Sequence, residues 1–131
     1  MPKPPKKCEV RLTGPAKLDL SGLMEWTVQE FGERAALRYD ALIKQALKDI
    51  GADSERPGSK ERPEIMVRGA RIYHPEYSRN RVRGSKVKEP RHFLVYRRRD
   101  DGVIEVARIL HDSRDLQRHL PEDYRPVDAP S

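Results

Sequence analysis

The chain has a single cysteine, Cys8, among 131 residues. That excludes an intrachain disulfide and fits a reducing, cytoplasmic setting. Cys8 sits beside an alternating stretch, and its expected role is a small packing residue, not a nucleophile. No apolar run approaches the roughly 18 residues that a membrane-spanning helix needs, so no membrane partner is expected. The start, Met1-Pro2-Lys3-Pro4-Pro5-Lys6-Lys7, is basic and is not followed by the apolar core of a secretion signal. It is expected to be a disordered or extended tail. Gly84 and Gly102 stand alone at turns, so the Gly-rich strand-to-helix loop of a nucleotide cradle is missing. His74, His92, His111 and His119 lack the close paired spacing of a zinc site. Ser113, His111 and Asp112 are near neighbours in sequence, whereas a hydrolase relay needs side chains converging from separate elements. No cofactor and no metal are therefore expected.

Apolar residues make up 36% of the chain and charged residues 37%, with aromatics at 6%. That is a lean core inside a charged surface, the size of one domain of modest stability. The formal charge is +6, and it is not spread evenly. Residues 71–98 hold nine Lys/Arg and two Glu, a balance of +7. Residues 16–50 hold five Lys/Arg and six Asp/Glu, a balance of −1. A localised positive field of this kind attracts nucleic acid or an acidic protein segment.

Residues 8–12 alternate as a short strand that Gly14-Pro15 ends. Leu20, Leu23, Met24, Thr27, Val28 and Phe31 follow helical spacing. After Gly32 a second helix carries Ala35, Ala36, Tyr39, Leu42, Ile43, Ala46, Leu47 and Ile50 as its stripe, with Gly51 as its expected stop. Two amphipathic helices split by one glycine make a helical hairpin. Residues 53–63 are polar and read as a loop. Arg71-Ile72-Tyr73-His74 opens a strand that Pro75 would restrict to an edge or a bulge. Residues 92–98 and 103–110 flank Asp100-Asp101-Gly102, a strong hairpin signal. In the last strand Ile104, Val106 and Leu110 are expected to share a face with Arg108, opposite Ala107 and Ile109. Residues 116–120 allow one helical turn, and residues 122–131 read as a disordered tail. The expected fold is α+β, ordered β-α-α-β-β-β, with a helical hairpin on an antiparallel sheet. Residues 8–121 form its single domain, between tails at 1–7 and 122–131.

The candidate binding residues are Arg71, Arg79, Arg81, Arg97 and Arg108, with His111 and Arg114 at the end of the last strand; Arg83 and Arg91 lie on or beside the same expected sheet and are weighed with them. Strand-borne arginines hold a fixed donor fork toward phosphate or carboxylate. Arg108 interrupts an apolar strand and must find a partner. Tyr73, Tyr77 and Tyr96 lie among the basic residues. Stacking on bases is open to them, but core packing suits strand-forming aromatics better.

Several pieces together resemble the RelE/ParE superfamily of bacterial toxins, the toxic halves of type II toxin–antitoxin pairs. They are Leu20-Ser21-Gly22-Leu23 with Trp26-Thr27 and Phe31-Gly32, then Ala36-Leu37-Arg38-Tyr39. Pro90-Arg91-His92-Phe93, Val95-Tyr96-Arg97 and Val106-Ala107-Arg108-Ile109-Leu110-His111 follow in the same order. The ending His111-Asp112-Ser113-Arg114-Asp115 resembles the ParE type, with Arg114 where methionine is common. The resemblance implies a cognate ParD-like antitoxin as partner. It also implies a non-enzymatic poison of DNA gyrase as the favoured activity. The alternative is a RelE-like mRNA endonuclease acting on the ribosome, with His111 as acid or base and Arg97 and Arg108 around the phosphate. A non-toxic nucleic-acid-binding module is the third reading.

Overall fold

A computed structural model describes residues 7–84, 87–112 and 116–126. The elements run β1 (Val10–Leu12), α1 (Gly14–Phe31), α2 (Glu33–Ala52), β2 (Ser59–Glu61), β3 (Ala70–Tyr73), β4 (His92–Arg98), β5 (Ile104–His111) and α3 (Leu116–His119). A 3-10 turn, Pro75–Arg81, follows β3, and a second, Glu122–Tyr124, follows α3. The fold is the expected α+β class, with the helical hairpin laid on a sheet of order β1-β5-β4-β3-β2.

The sheet is mixed rather than wholly antiparallel, because β1 pairs with β5 in parallel. The long α1–α2 crossover returns the chain to the same side, which leaves β1 free to run alongside β5. A further strand, β2, falls inside the segment read as a loop and pairs with β3. Its side chains are polar, so no alternation marked it. Pro75 does not place β3 at an edge: β3 ends at Tyr73 and lies between β2 and β4, while Pro75 opens the 3-10 turn, where a proline loses no needed N–H.

Thr13 starts α1. Its hydroxyl oxygen accepts from the Ala16 N–H at 3.2 Å and its proton goes to the Ala107 carbonyl at 2.9 Å. Gly32 then turns the chain with φ 88°, a conformation that costs glycine nothing. Gly51 is not the stop of α2. It lies one residue inside the helix, where its N-terminal neighbour strand comes close: a Cβ there would meet the Val10 side chain at 2.8 Å. The Gly51 carbonyl accepts from the Cys8 N–H at 2.8 Å.

Apolar residues cover both faces of the sheet. On one face Tyr39, Ile43, Ala46 and Ile50 of α2 meet Leu94, Tyr96, Ile104, Val106 and Ile109. On the other, Phe93, Val95, Ala107 and Leu110 meet Met66, Leu116, Leu120 and Tyr124. Tyr73 and Tyr96 are fully buried, as core packing predicts.

Two expectations fail here for related reasons. Ala107 is a bulge: Val95 pairs with Arg108 but Tyr96 pairs with Val106. The extra residue shifts every later side chain by one face, so Ile109, not Leu110, joins Ile104 and Val106. The segment after residue 121 is also not wholly a tail. Tyr124 is buried, and its hydroxyl donates to Glu105 Oε2 at 2.8 Å. Leu116, Leu120 and Tyr124, each four apart, are the cover that the second sheet face requires.

Candidate functional site

The bulge also builds the most distinctive polar cluster of the described residues. Counting outward from the Asp101-Gly102 turn without it would set His92 opposite Leu110. With it, His92 pairs with His111 and their rings meet edge to face at 5.1 Å. The Tyr39 hydroxyl of α2 lies 2.9 Å from His92 Nδ1 and accepts from the Arg91 N–H at 2.9 Å. Its proton is then best used toward Nδ1, which assigns His92 as neutral with its own proton on Nε2. Burial, aided by His111, pushes the His92 imidazole down to about 4. Burial raises the Tyr39 phenol above its usual range, so it stays a protonated donor.

Asp112 closes the cluster. Its carboxylate takes His74 Nε2 at 3.3 Å and Arg91 Nε at 3.2 Å, with His111 Nδ1 at 3.7 Å. Of this group, His111 and Arg91 were among the candidates read from the sequence. His74 and His92 were set aside as metal ligands for want of close spacing along the chain, and no signal in the sequence joins them to His111, because the bulge that sets the His92–His111 register leaves no mark in it.

Beside the cluster runs a groove of about 770 Å³ lined by Leu23, Trp26, Thr27, Phe31 and Ala35 along the helices. Arg38, Lys88 and Arg91 bring positive charge to it, against Glu89 alone. A second concavity of about 570 Å³ adjoins it at Leu23, Trp26, His92 and His111 and extends toward Leu18 and Asp19. Trp26 and Phe31 stand half or more exposed, their rings edge to face at 5.6 Å. Leu18 and Leu37 are exposed as well. The expected apolar stripe of α1 is therefore only partly core: Leu23 and Thr27 are buried, while Val28 and Phe31 face outward.

Most of the candidate arginines are tied within the chain. Arg108 grips Asp19 of α1 through both oxygens, Nε at 2.7 Å and Nη2 at 2.9 Å. Its Nη1 donates to the His119 carbonyl at 3.1 Å. The Asp19 carboxylate raises the Arg108 pKa beyond its already high value. Asp19 also accepts the Ile109 N–H at 3.0 Å, where β1 has ended and the β5 edge would be open. Arg97 pairs with Glu105 at 3.1 Å and Asp123 at 2.6 Å, and lies 4.4 Å over the Tyr124 ring. Arg71 donates to Ser59 Oγ at 2.6 Å and lies within 3.5 Å of Glu55 and Glu61. Arg79 donates to the Lys88 carbonyl, and Arg81 Nε to buried Asp49 at 2.9 Å. Arg114 lies outside the described residues.

The would-be catalytic trio does not converge. Arg97 pairs opposite Glu105 and His111 opposite His92, five residues apart along β4. At ~3.3 Å per residue that is about 16 Å.

A helical hairpin on a five-stranded mixed sheet, with an apolar groove edged by cations, defines an α+β domain. The family model described as the ParE toxin of the type II toxin–antitoxin system parDE matches residues 10–116, and the chain belongs to that family. A solved chain of the chromosomal ParDE toxin–antitoxin system from P. aeruginosa is similar in fold. It is 16% identical at a TM-score of 0.60, over 80% of this chain and 96% of that one. No curated protein sequence matches.

Proposed function

We propose that this ParE-family toxin arrests growth in the cytoplasm by binding DNA gyrase, without chemistry of its own, and is neutralised by a cognate antitoxin. The observation that carries the non-enzymatic reading is the state of Arg97, Arg108 and His111. A phosphodiester cleavage site needs cations and an acid or base around one phosphate. Arg108 is instead saturated by Asp19, and Arg97 lies at the far end of the hairpin.

The groove supports the antitoxin half. An amphipathic segment with acidic side chains would cover Trp26, Phe31 and Leu23 and meet Arg38, Lys88 and Arg91. Such a segment would order on binding, a cost offset by the large surface it wraps.

The imidazole pair is the one feature that favours the ribosome-dependent ribonuclease. His111→Ala separates the two readings. An acid–base role predicts a loss of about 10²-fold or more in mRNA cleavage on ribosomes. A binding poison instead yields gyrase-dependent cleavage of plasmid DNA that survives the substitution within a few-fold. Ribosome-dependent cleavage by the purified protein, abolished by His111→Ala, overturns the gyrase reading.

A further inference from the structure

Away from the groove, the end of α2, the start of the chain's described part and the segment after the first 3-10 turn meet around an open pocket of about 470 Å³. Lys7, Lys48, Arg81 and Arg83 line it, with Gln45, Ala52 and one carboxylate, Asp49. We propose that this pocket binds the phosphodiester backbone of duplex DNA.

Asp49 does not cancel the positive charge. Its oxygens are already taken by Arg56 at 3.0 Å, Arg81 at 2.9 Å, Ser78 at 2.6 Å and Gln45 at 2.9 Å. It is 3% exposed, and its single negative charge is outweighed by the two guanidinium groups that hold it, Arg56 and Arg81. Its effect on Arg81 is to position it. Asp49 takes only Nε, and the side chain is 59% exposed, which leaves the two Nη groups available to an anion. An arginine held this way loses little entropy when it grips a phosphate. Lys7, Lys48 and Arg83 are exposed and form no ion pair with any described carboxylate. They contrast with Arg71, Arg97 and Arg108, whose charge is spent inside the fold.

The lining narrows the ligand. Ala52 is its only apolar side chain, so nothing there would stack on a base or insert into a lipid layer. Cations from three separate segments suit an extended polyanion better than a compact one. The inference rests on the gyrase reading for its setting, since the duplex held by gyrase is the DNA in reach. Its test contains no gyrase, so the two can fail separately.

The assay is fluorescence anisotropy of a labelled short DNA duplex with the full chain, at about 50 and about 200 mM salt. The probe variant is Lys48→Glu with Arg83→Glu. The control is Arg34→Glu with Arg68→Glu, two exposed arginines outside the pocket that change the net charge equally. All four positions are exposed, and circular dichroism checks each fold. The proposal expects the probe variant to bind at least about tenfold more weakly, with a salt slope lower by about two, while the control stays within about threefold of the parent. Equal weakening in both variants, or no duplex binding by the parent chain, overturns it. Displacement of the duplex by millimolar inorganic phosphate at constant ionic strength also overturns it, reassigning the pocket to a small anion. So does capture by vesicles of anionic phospholipid that matches the duplex and is lost in the probe variant.

Discussion

The two helices of the hairpin hold to the same sheet by different means. Helix α2 buries an apolar stripe of Ala36, Tyr39, Leu42, Ile43, Ala46 and Ile50. Helix α1 buries only Ala16, Leu23 and Thr27. Leu20 and Met24 pack against the core while only partly buried, and the rest of its grip is polar: Thr13 stitched to the bulge, and Asp19 bridging Arg108 and the open β5 edge. Beyond Asp19 it turns Trp26, Val28 and Phe31 to solvent. A helix anchored by hydrogen bonds at one half can keep the apolar side chains of the other half for a partner. Both helices border the groove, but α2 carries most of the core contact and α1 most of the exposed apolar side chains.

The comparison is broken most severely at Ile43. It is fully buried between the helices and the sheet, and Ile43→Ala should cost about 3 kcal/mol of stability from lost transfer energy and the cavity left behind. Urea unfolding followed by circular dichroism measures it. A loss below about 1 kcal/mol would mean that α2 is not the core helix. The polar anchor of α1 comes next. Asp19→Ala leaves the Arg108 guanidinium and the Ile109 N–H without their acceptor, and should cost about 2 kcal/mol. Arg108→Ala added to Asp19→Ala should cost little more, because both remove the same interaction. Fully additive losses would show that the two side chains do not act as a pair.

The contrast also explains what could be read from the chain. The α2 stripe was legible because most of it is buried, with only Ala35 and Leu47 partly exposed. The α1 stripe misled because the same spacing serves a core face and an exposed apolar face, and hydrophobicity does not say which. The hairpin of β4 and β5 was legible from its turn and its β-branched runs. The bulge at Ala107 was not, since a single extra residue leaves no compositional mark, and with it went the faces of Ile109 and Leu110 and the His92–His111 pair. Arg108 was known to need a partner. That the partner is Asp19, 89 positions earlier, depends on where α1 crosses the edge of β5. Arg81 and Arg83 were among the candidate arginines, but Lys48 beside them was not, because the pocket joins segments that are distant in sequence.

A pH test sharpens the comparison at the point where the two helices meet the sheet end. His92, bonded to Tyr39 of α2 and bordering the α1 groove, has its imidazole pushed down to about 4 from an ordinary 6.5. His111, His74, Asp112 and Asp19 face it electrostatically. The unfolded chain takes up a proton at this residue near pH 6.5, while the folded chain resists until about pH 4. His92 therefore favours folding above pH 6.5, and that contribution is lost as pH falls toward 4. Allowing for its partial exposure, the loss should be about 1 kcal/mol. His92→Gln keeps a polar side chain without the titration. The fall in urea midpoint between pH 7.5 and 4.5 should be smaller in this variant than in the parent. An equal fall would remove His92 as its source.

The smallest effect on the fold is expected at Trp26, and it carries the sharpest contrast. Trp26 is 51% exposed and touches mainly Phe31 of its own helix among the aromatics. Trp26→Ala should change stability by less than about 1 kcal/mol, well below the Ile43→Ala loss. Its effect on the antitoxin should be the reverse. An aromatic at the edge of an apolar groove is the kind of anchor that concentrates binding energy, so affinity for the cognate antitoxin should fall about tenfold or more. Ile43→Ala measured under conditions where it remains folded should bind nearly as the parent does, since its side chain is inaccessible. Calorimetric titration of the three proteins with the antitoxin reads both halves. If Trp26→Ala unfolds the protein as Ile43→Ala does, α1 belongs to the core. If it leaves antitoxin affinity untouched while stability is also unchanged, the outer face of α1 is not where the partner sits.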